Sequence, residues 1–159
     1  SHAVPRRLSA EQLYDSIIQA TGAPRALPGV PAGFRASELP DSQVEVAFLD
    51  MFGRPPRESP CECERSTDVS LGQTLNMVNG PTIGDAIAHP EGLIARTLAA
   101  GTTNEQLIET IYLSTLCRTP SPDEMARSVE YFGTVATQKE ATEDLAWALI
   151  NSPGFLFNR

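Results

Sequence analysis

Apolar positions recur along most of this chain at helical spacing, and small polar residues punctuate them. Ser9 and Gln12 form a capping box, in which each side chain can satisfy a free amide of the first turn. Leu13, Ile17 and Ile18 follow at helical intervals, and Gly22 suits a left-handed stop. The spacing predicts a second helix from Asp41 to Phe52, with Val44, Phe48 and Leu49 inward and Gly53 ending it. A third starts at Ser70, boxed with Gln73, buries Leu71, Leu75 and Val78, and stops at Gly80 and Pro81. Ile83 and Ile87 share one face of a short segment from Thr82 to His89, which Pro90 terminates. Leu93, Ile94 and Leu98 imply another helix, closed by Gly101.

The later pattern is sharper. Thr103 boxes with Gln106 ahead of a wide stripe of Leu107, Ile108, Ile111 and Leu116. Ser121 caps the next helix, Pro122 takes its first position and Glu124 completes the box, with Met125, Val129 and Phe132 facing inward. A last long helix, Glu140 to Ile150, offers Leu145, Trp147, Leu149 and Ile150. Phe155, Leu156 and Phe157 read as plugs for the core. No stretch alternates strictly with β-branched enrichment, so no sheet of three or more strands is expected. The fold class is all-α: a compact bundle of about seven to eight short helices.

Two stretches break the pattern. Ala23 to Pro40 carries four prolines and two glycines and cannot be a regular helix. Gly53 to Val69 is a second long irregular loop, of a length that is uncommon inside a compact domain unless it is functional or strapped down. The chain divides into an N-terminal helix (1–22), a Pro/Gly-rich connector (23–40) and a main helical region (41–159), one domain overall.

Charge and composition narrow the partners. The 12 Lys and Arg against 20 Asp and Glu give a net charge of -8, which disfavours nucleic acid and anionic membrane. The longest unbroken apolar run, Leu145 to Ile150, is far short of the ~20 residues that a membrane span requires. The opening Ser1-His2-Ala3 reads as a cloning remnant, and the native chain is expected to begin elsewhere.

Candidate chemistry concentrates in the second loop. Cys61 and Cys63 supply two soft ligands, but a zinc site needs about four at characteristic spacing, so no metal is expected. A bridge between them would close a very tight loop; two partly buried thiols are the plainer reading. Arg54, Arg57 and Arg65 lie among Glu58, Glu62 and Glu64. They could form a recognition patch for a carboxylate or sulfate, or an ion-pair network that anchors the loop. Near-cancelling local charge favours the network, with Arg65 the best anchor. Haem attachment needs Cys-x-x-Cys-His, which is absent, and no nucleophile elbow or phosphate loop appears. His89 reads as a helix C-terminal cap rather than a base, and the acid pairs Asp123-Glu124 and Glu143-Asp144 as helix-face charge. No catalytic residue, metal ligand or cofactor site is assigned.

Five runs carry a resemblance: RRLSAEQLYDSIIQATG, FGRPPRESPCECER, SLGQTLNMVNG, IYLSTLCRTPSPDEM and EDLAWALINSPGFLFNR. In order, from Arg6 to Arg159, they resemble the planctomycete-type domain of unknown function that ends large exported proteins beginning with a cytochrome-c-like module. The resemblance covers the later part of that domain. It implies export, an upstream half that would pack on the first helix, and the neighbouring domains of the same polypeptide as partners. Leu8, Leu13 or Tyr14 would then lie on an exposed apolar patch. Relatives are often encoded near sulfatases and polysaccharide-degrading enzymes, but the family carries no established activity. It often has Ser where this chain has Cys117, which argues against a required thiol there. The reading is therefore a non-catalytic helical structural or interaction module, with a protein or glycan as a further partner. The alternative is part of an enzyme or a sulfated-glycan-binding domain. A third idea is a module that docks a cytochrome through its acidic surface.

Overall fold

In the computed structural model, residues 6–39, 46–52 and 80–158 are described. Strand β1 (Arg6–Arg7) precedes α1 (Ala10–Thr21), a short 3₁₀ turn (Ala36–Glu38) and α2 (Ala47–Met51). Then come α3 (Pro81–Ile87), α4 (Leu93–Ala99), α5 (Asn104–Leu116), α6 (Pro122–Phe132), α7 (Gln138–Ile150) and α8 (Pro153–Leu156), with β2 (Phe157–Asn158) last. The fold is all-α. Its one ladder among the described residues is the antiparallel pairing of β1 with β2, Arg7 opposite Phe157, continued by the Leu8 amide donating to the Leu156 carbonyl at 3.1 Å.

Local capping starts the helices where the polar punctuation places them. Ser9 Oγ accepts from the Gln12 amide while Gln12 Oε1 accepts from the Ser9 amide. Thr103 with Gln106 and Ser121 with Glu124 do the same for α5 and α6. Helix α7 begins two residues ahead of the expected Glu140, because Thr137 Oγ1 accepts from the Glu140 amide at 3.1 Å and acts as the N-cap. Pro81 opens α3 at its first position, with Gly80 as the N-cap. Val46 is extended (φ -129, ψ 102), so α2 starts at Ala47, and the earlier part of the helix expected from Asp41 lies outside the described residues. The expected helix at Ser70 lies outside the described residues.

The main core centres on α1. Leu13 and Ile17 are fully buried against Leu27 and Ala36 of the connector, Phe48 and Leu49 of α2, Ile83 and Ile87 of α3 and Ile94 of α4. Helix α7 adds Ala146 and Ile150, and α8 adds Phe155. A second cluster unites α5, α6 and α7 through Leu107, Ile108, Tyr112, Phe132 and Ala141. Leu98, Leu116, Leu145 and Leu149 pack against both clusters, so the two merge. The first helix is thus enclosed by later elements. Of the three positions expected on an exposed apolar patch, Leu13 is buried, while Leu8 and Tyr14 are half-buried against the core.

Helix α1 ends at Gly22 with φ +62, donating to the Gln19 carbonyl. A Cβ there would lie 2.9 Å from Arg96 Nη2 and 3.2 Å from the Leu93 amide, so glycine also permits close approach of α4. Helix α5 ends without glycine: Cys117 takes the left-handed conformation (φ 53, ψ 30) and donates to the Leu113 carbonyl. At the C-terminus Phe155 is buried, but Phe157, expected as a plug, is 37% exposed because strand pairing turns its ring outward.

Candidate functional site

The connector is held by one side chain. Asp15 projects from α1, and its Oδ1 accepts from the Ala36 amide at 2.8 Å. Its Oδ2 accepts from the Ser37 amide at 3.1 Å and the Ser37 hydroxyl at 2.8 Å. These are the first-turn donors of the 3₁₀ segment, the groups that a carboxylate satisfies best. The bonds span 21 and 22 residues of chain.

Beside this clamp lies a groove of about 530 Å³. One wall is the outer face of α1, with Gln12, Asp15, Ser16 and Gln19; the other is the end of α5, with Ser114, Thr115 and Cys117. Arg35 and Ser37 stand at the rim, and Leu8, Ala20, Leu116 and Phe155 make the apolar part. The volume is that of a small-molecule cleft. The groups facing it are mostly neutral amides and hydroxyls. Thr115 Oγ1 donates to the Ile111 carbonyl at 2.6 Å and is thereby held to its own helix. Cys117 is an exposed free thiol at the lip.

Two polar clusters lie outside the groove lining. Arg118 grips Glu124 with two 2.7 Å bonds, while Glu124 Oε2 also accepts from the Ser121 amide at 2.8 Å. The Arg118 bond first, and the Ser121 amide next, pull the Glu124 carboxyl down to about 2. The Arg118 guanidinium also sits 5.4 Å over the Tyr112 ring. Burial, with the Glu124 charge second, raises the Tyr112 phenol. On the outer face of α6 and α7, the Tyr131 hydroxyl donates to Asp144 Oδ2 at 2.6 Å; that bond is the largest cause of a raised Tyr131 pKa.

The residues singled out in the second loop, Arg54, Arg57, Cys61, Glu62, Cys63, Glu64 and Arg65, lie outside the described residues. The structure places His89 in the turn after α3, where its Nδ1 accepts from the Glu91 amide at 3.2 Å. The C-cap of α3 is Ala88, so the expected capping role of His89 gives way to a turn role. Asp123 and Glu124 do occupy the first turn of α6. Sequence reasoning missed the Asp15 clamp, for which no local signal exists. The Arg118–Glu124 fork was legible in principle, as an arginine three residues before the N-cap Ser121. Among the described residues, no three His, Cys, Asp or Glu side chains lie close enough to hold a metal, and no helix is long and apolar enough to cross a membrane.

An all-α domain with an open mixed groove and capping carboxylates defines a class by architecture alone. A family model described as a protein of unknown function (DUF1553) matches residues 1–132, and the chain belongs to that family. The matched span runs through the end of α6, and the resemblance to a domain of unknown function is borne out. No curated protein and no solved structure matches the chain.

Proposed function

We propose that this chain is a non-catalytic helical interaction module of a larger exported multidomain protein, packing against neighbouring domains or holding a protein or glycan partner. The observation that carries the reading is Asp15. It is the carboxylate lining the groove, and both its oxygens hold the connector in place. The groove's remaining polar groups are suited to recognition by hydrogen bonding. Calorimetric binding of the chain to the upstream segment of its polypeptide tests this reading. A saturable interaction of one to one stoichiometry is expected, and reproducible hydrolytic turnover of an ester or glycoside panel would refute it.

A sulfated-glycan partner is the second reading. It is supported by Arg35 at the groove rim, whose guanidinium has no hydrogen bond or ion pair among the described residues. Binding to a sulfated-glycan panel that is lost in Arg35→Ala would favour it.

A further inference from the structure

One stripe of α7 faces outward. Glu140, Asp144, Trp147 and Asn151 follow at intervals of four, three and four residues, so they share one helix face. The first three are exposed. Trp147 is 38% exposed and Tyr131, which flanks the stripe from α6, is 43% exposed, although both are rings that usually bury themselves. The Tyr131 hydroxyl donates to one Asp144 oxygen at 2.6 Å, which fixes the carboxylate beside the Tyr131 ring, and Trp147 follows three residues on along the same face. The Asp144 bond first, then burial and the charges of Asp144 and Glu140, raise the Tyr131 phenol, and Glu140 lies one turn before Asp144 on the same face.

The acids are not neutralised from within the described residues. Lys139 pairs at 3.7 Å with Glu143, on the neighbouring stripe, and Arg127 Nε turns to the Asp123 carbonyl at 3.2 Å. Two carboxylates beside two exposed aromatic rings repel an anion. They match a guanidinium, which stacks on an aromatic face and forks to a carboxylate at once. Trp and Tyr are also the residue types that dominate binding energy at protein interfaces. The net charge of -8 steers a basic segment toward the surface.

We propose that the outer face of α7 is a docking surface for an arginine-bearing segment of a partner protein. This rests on the interaction-module reading and names the partner's chemistry. The stripe's geometry fits a helical segment laid across α7, with arginines reaching Trp147 on one side and the Glu140–Asp144 pair on the other.

Trp147 is the only tryptophan in the chain, so its fluorescence reports the surface directly. The full chain is titrated with a synthetic alanine-based helical peptide carrying arginines at alternating four- and three-residue spacing, with amide chemical shifts followed in parallel. Shifts should concentrate on residues 131–151. The double variant Glu140→Gln/Asp144→Asn should weaken binding by at least about fivefold, and Trp147→Ala by about tenfold. The control Glu105→Gln/Glu109→Gln, on exposed α5, should change it by less than about twofold. Equal weakening by the control, or shifts spread over the whole acidic surface, would overturn the proposal in favour of nonspecific attraction. Shifts on the same face produced by cellohexaose or maltohexaose and not by the peptide would overturn it in favour of a neutral saccharide. If the peptide leaves α7 unmoved while the upstream segment still binds, the docking surface falls and the interaction-module reading stands.

Discussion

Replacing Asp15 with alanine removes three acceptor contacts at once, from the Ala36 amide, the Ser37 amide and the Ser37 hydroxyl. The two Ser37 donors are solvent-exposed and can turn to water, so their loss costs little. The Ala36 amide is the partly buried one, and its residue is wholly inaccessible. A charge-assisted bond contributes ~1.5–3 kcal/mol, and an abandoned buried donor costs a similar amount. Asp15→Ala should therefore destabilise the protein by about 2–3 kcal/mol. Asp15→Asn keeps one acceptor, so its cost should be about half as large. With a urea slope of ~1–3 kcal/mol per molar, the alanine variant's midpoint should fall by about 1 M. Hydrogen exchange adds a local readout. Ala36 and Leu39, buried in the main core, should lose amide protection before α5 and α7 do. A midpoint within ~0.2 M of wild type, or unaltered exchange at Ala36, would refute the clamp and with it the claim that Asp15 is structurally engaged.

Glu124 should titrate near pH 2 by carboxyl NMR, and Arg118→Ala should return it toward the ordinary carboxylate range. Because its folded pKa is depressed, the stability it contributes is complete above the unfolded value and is lost as pH falls toward 2; an ordinary wild-type midpoint would contradict the fork. Leu107→Ala, at a position with no exposed surface, should cost ~2–5 kcal/mol in denaturant unfolding, and a loss below 1 kcal/mol would deny the second cluster its role. Gly22→Ala should destabilise by at least ~1–2 kcal/mol, since it combines left-handed strain with a 3.2 Å approach to the Leu93 backbone amide. Cys117→Gly should be neutral to stabilising by up to ~1 kcal/mol in thermal unfolding, because glycine relieves the same strain at the end of α5; a loss would give the thiol a role beyond its backbone.

Most helices in this chain were legible from sequence because their determinants are local. A capping box joins residues three apart, and an apolar stripe repeats within two turns, so Ser9, Thr103 and Ser121 marked their helix starts without knowledge of any neighbour. Pro122 and Gly22 also kept their expected roles at a helix start and a helix end. The misreadings fall where that locality ends. Trp147 belongs to the apolar inventory of α7, yet which residues of a helix face water depends on the elements that cover it; Ala146 and Ile150 received the core and Trp147 did not. Phe157 looked like a plug until β1 paired with β2 and set its direction. Cys117 closes α5 in a conformation that glycine usually supplies, under the demand of the turn into α6. The groove and its Asp15 clamp exist only because α1, the connector, the end of α5 and α8 meet, across chain separations that no periodicity encodes. Sequence by itself thus determined the all-α class and the helix starts, through short-range hydrogen bonding and hydrophobic spacing. Tertiary packing decided which polar groups hold the fold and which stay at the surface, because burial and long-range hydrogen bonds are properties of the assembled chain.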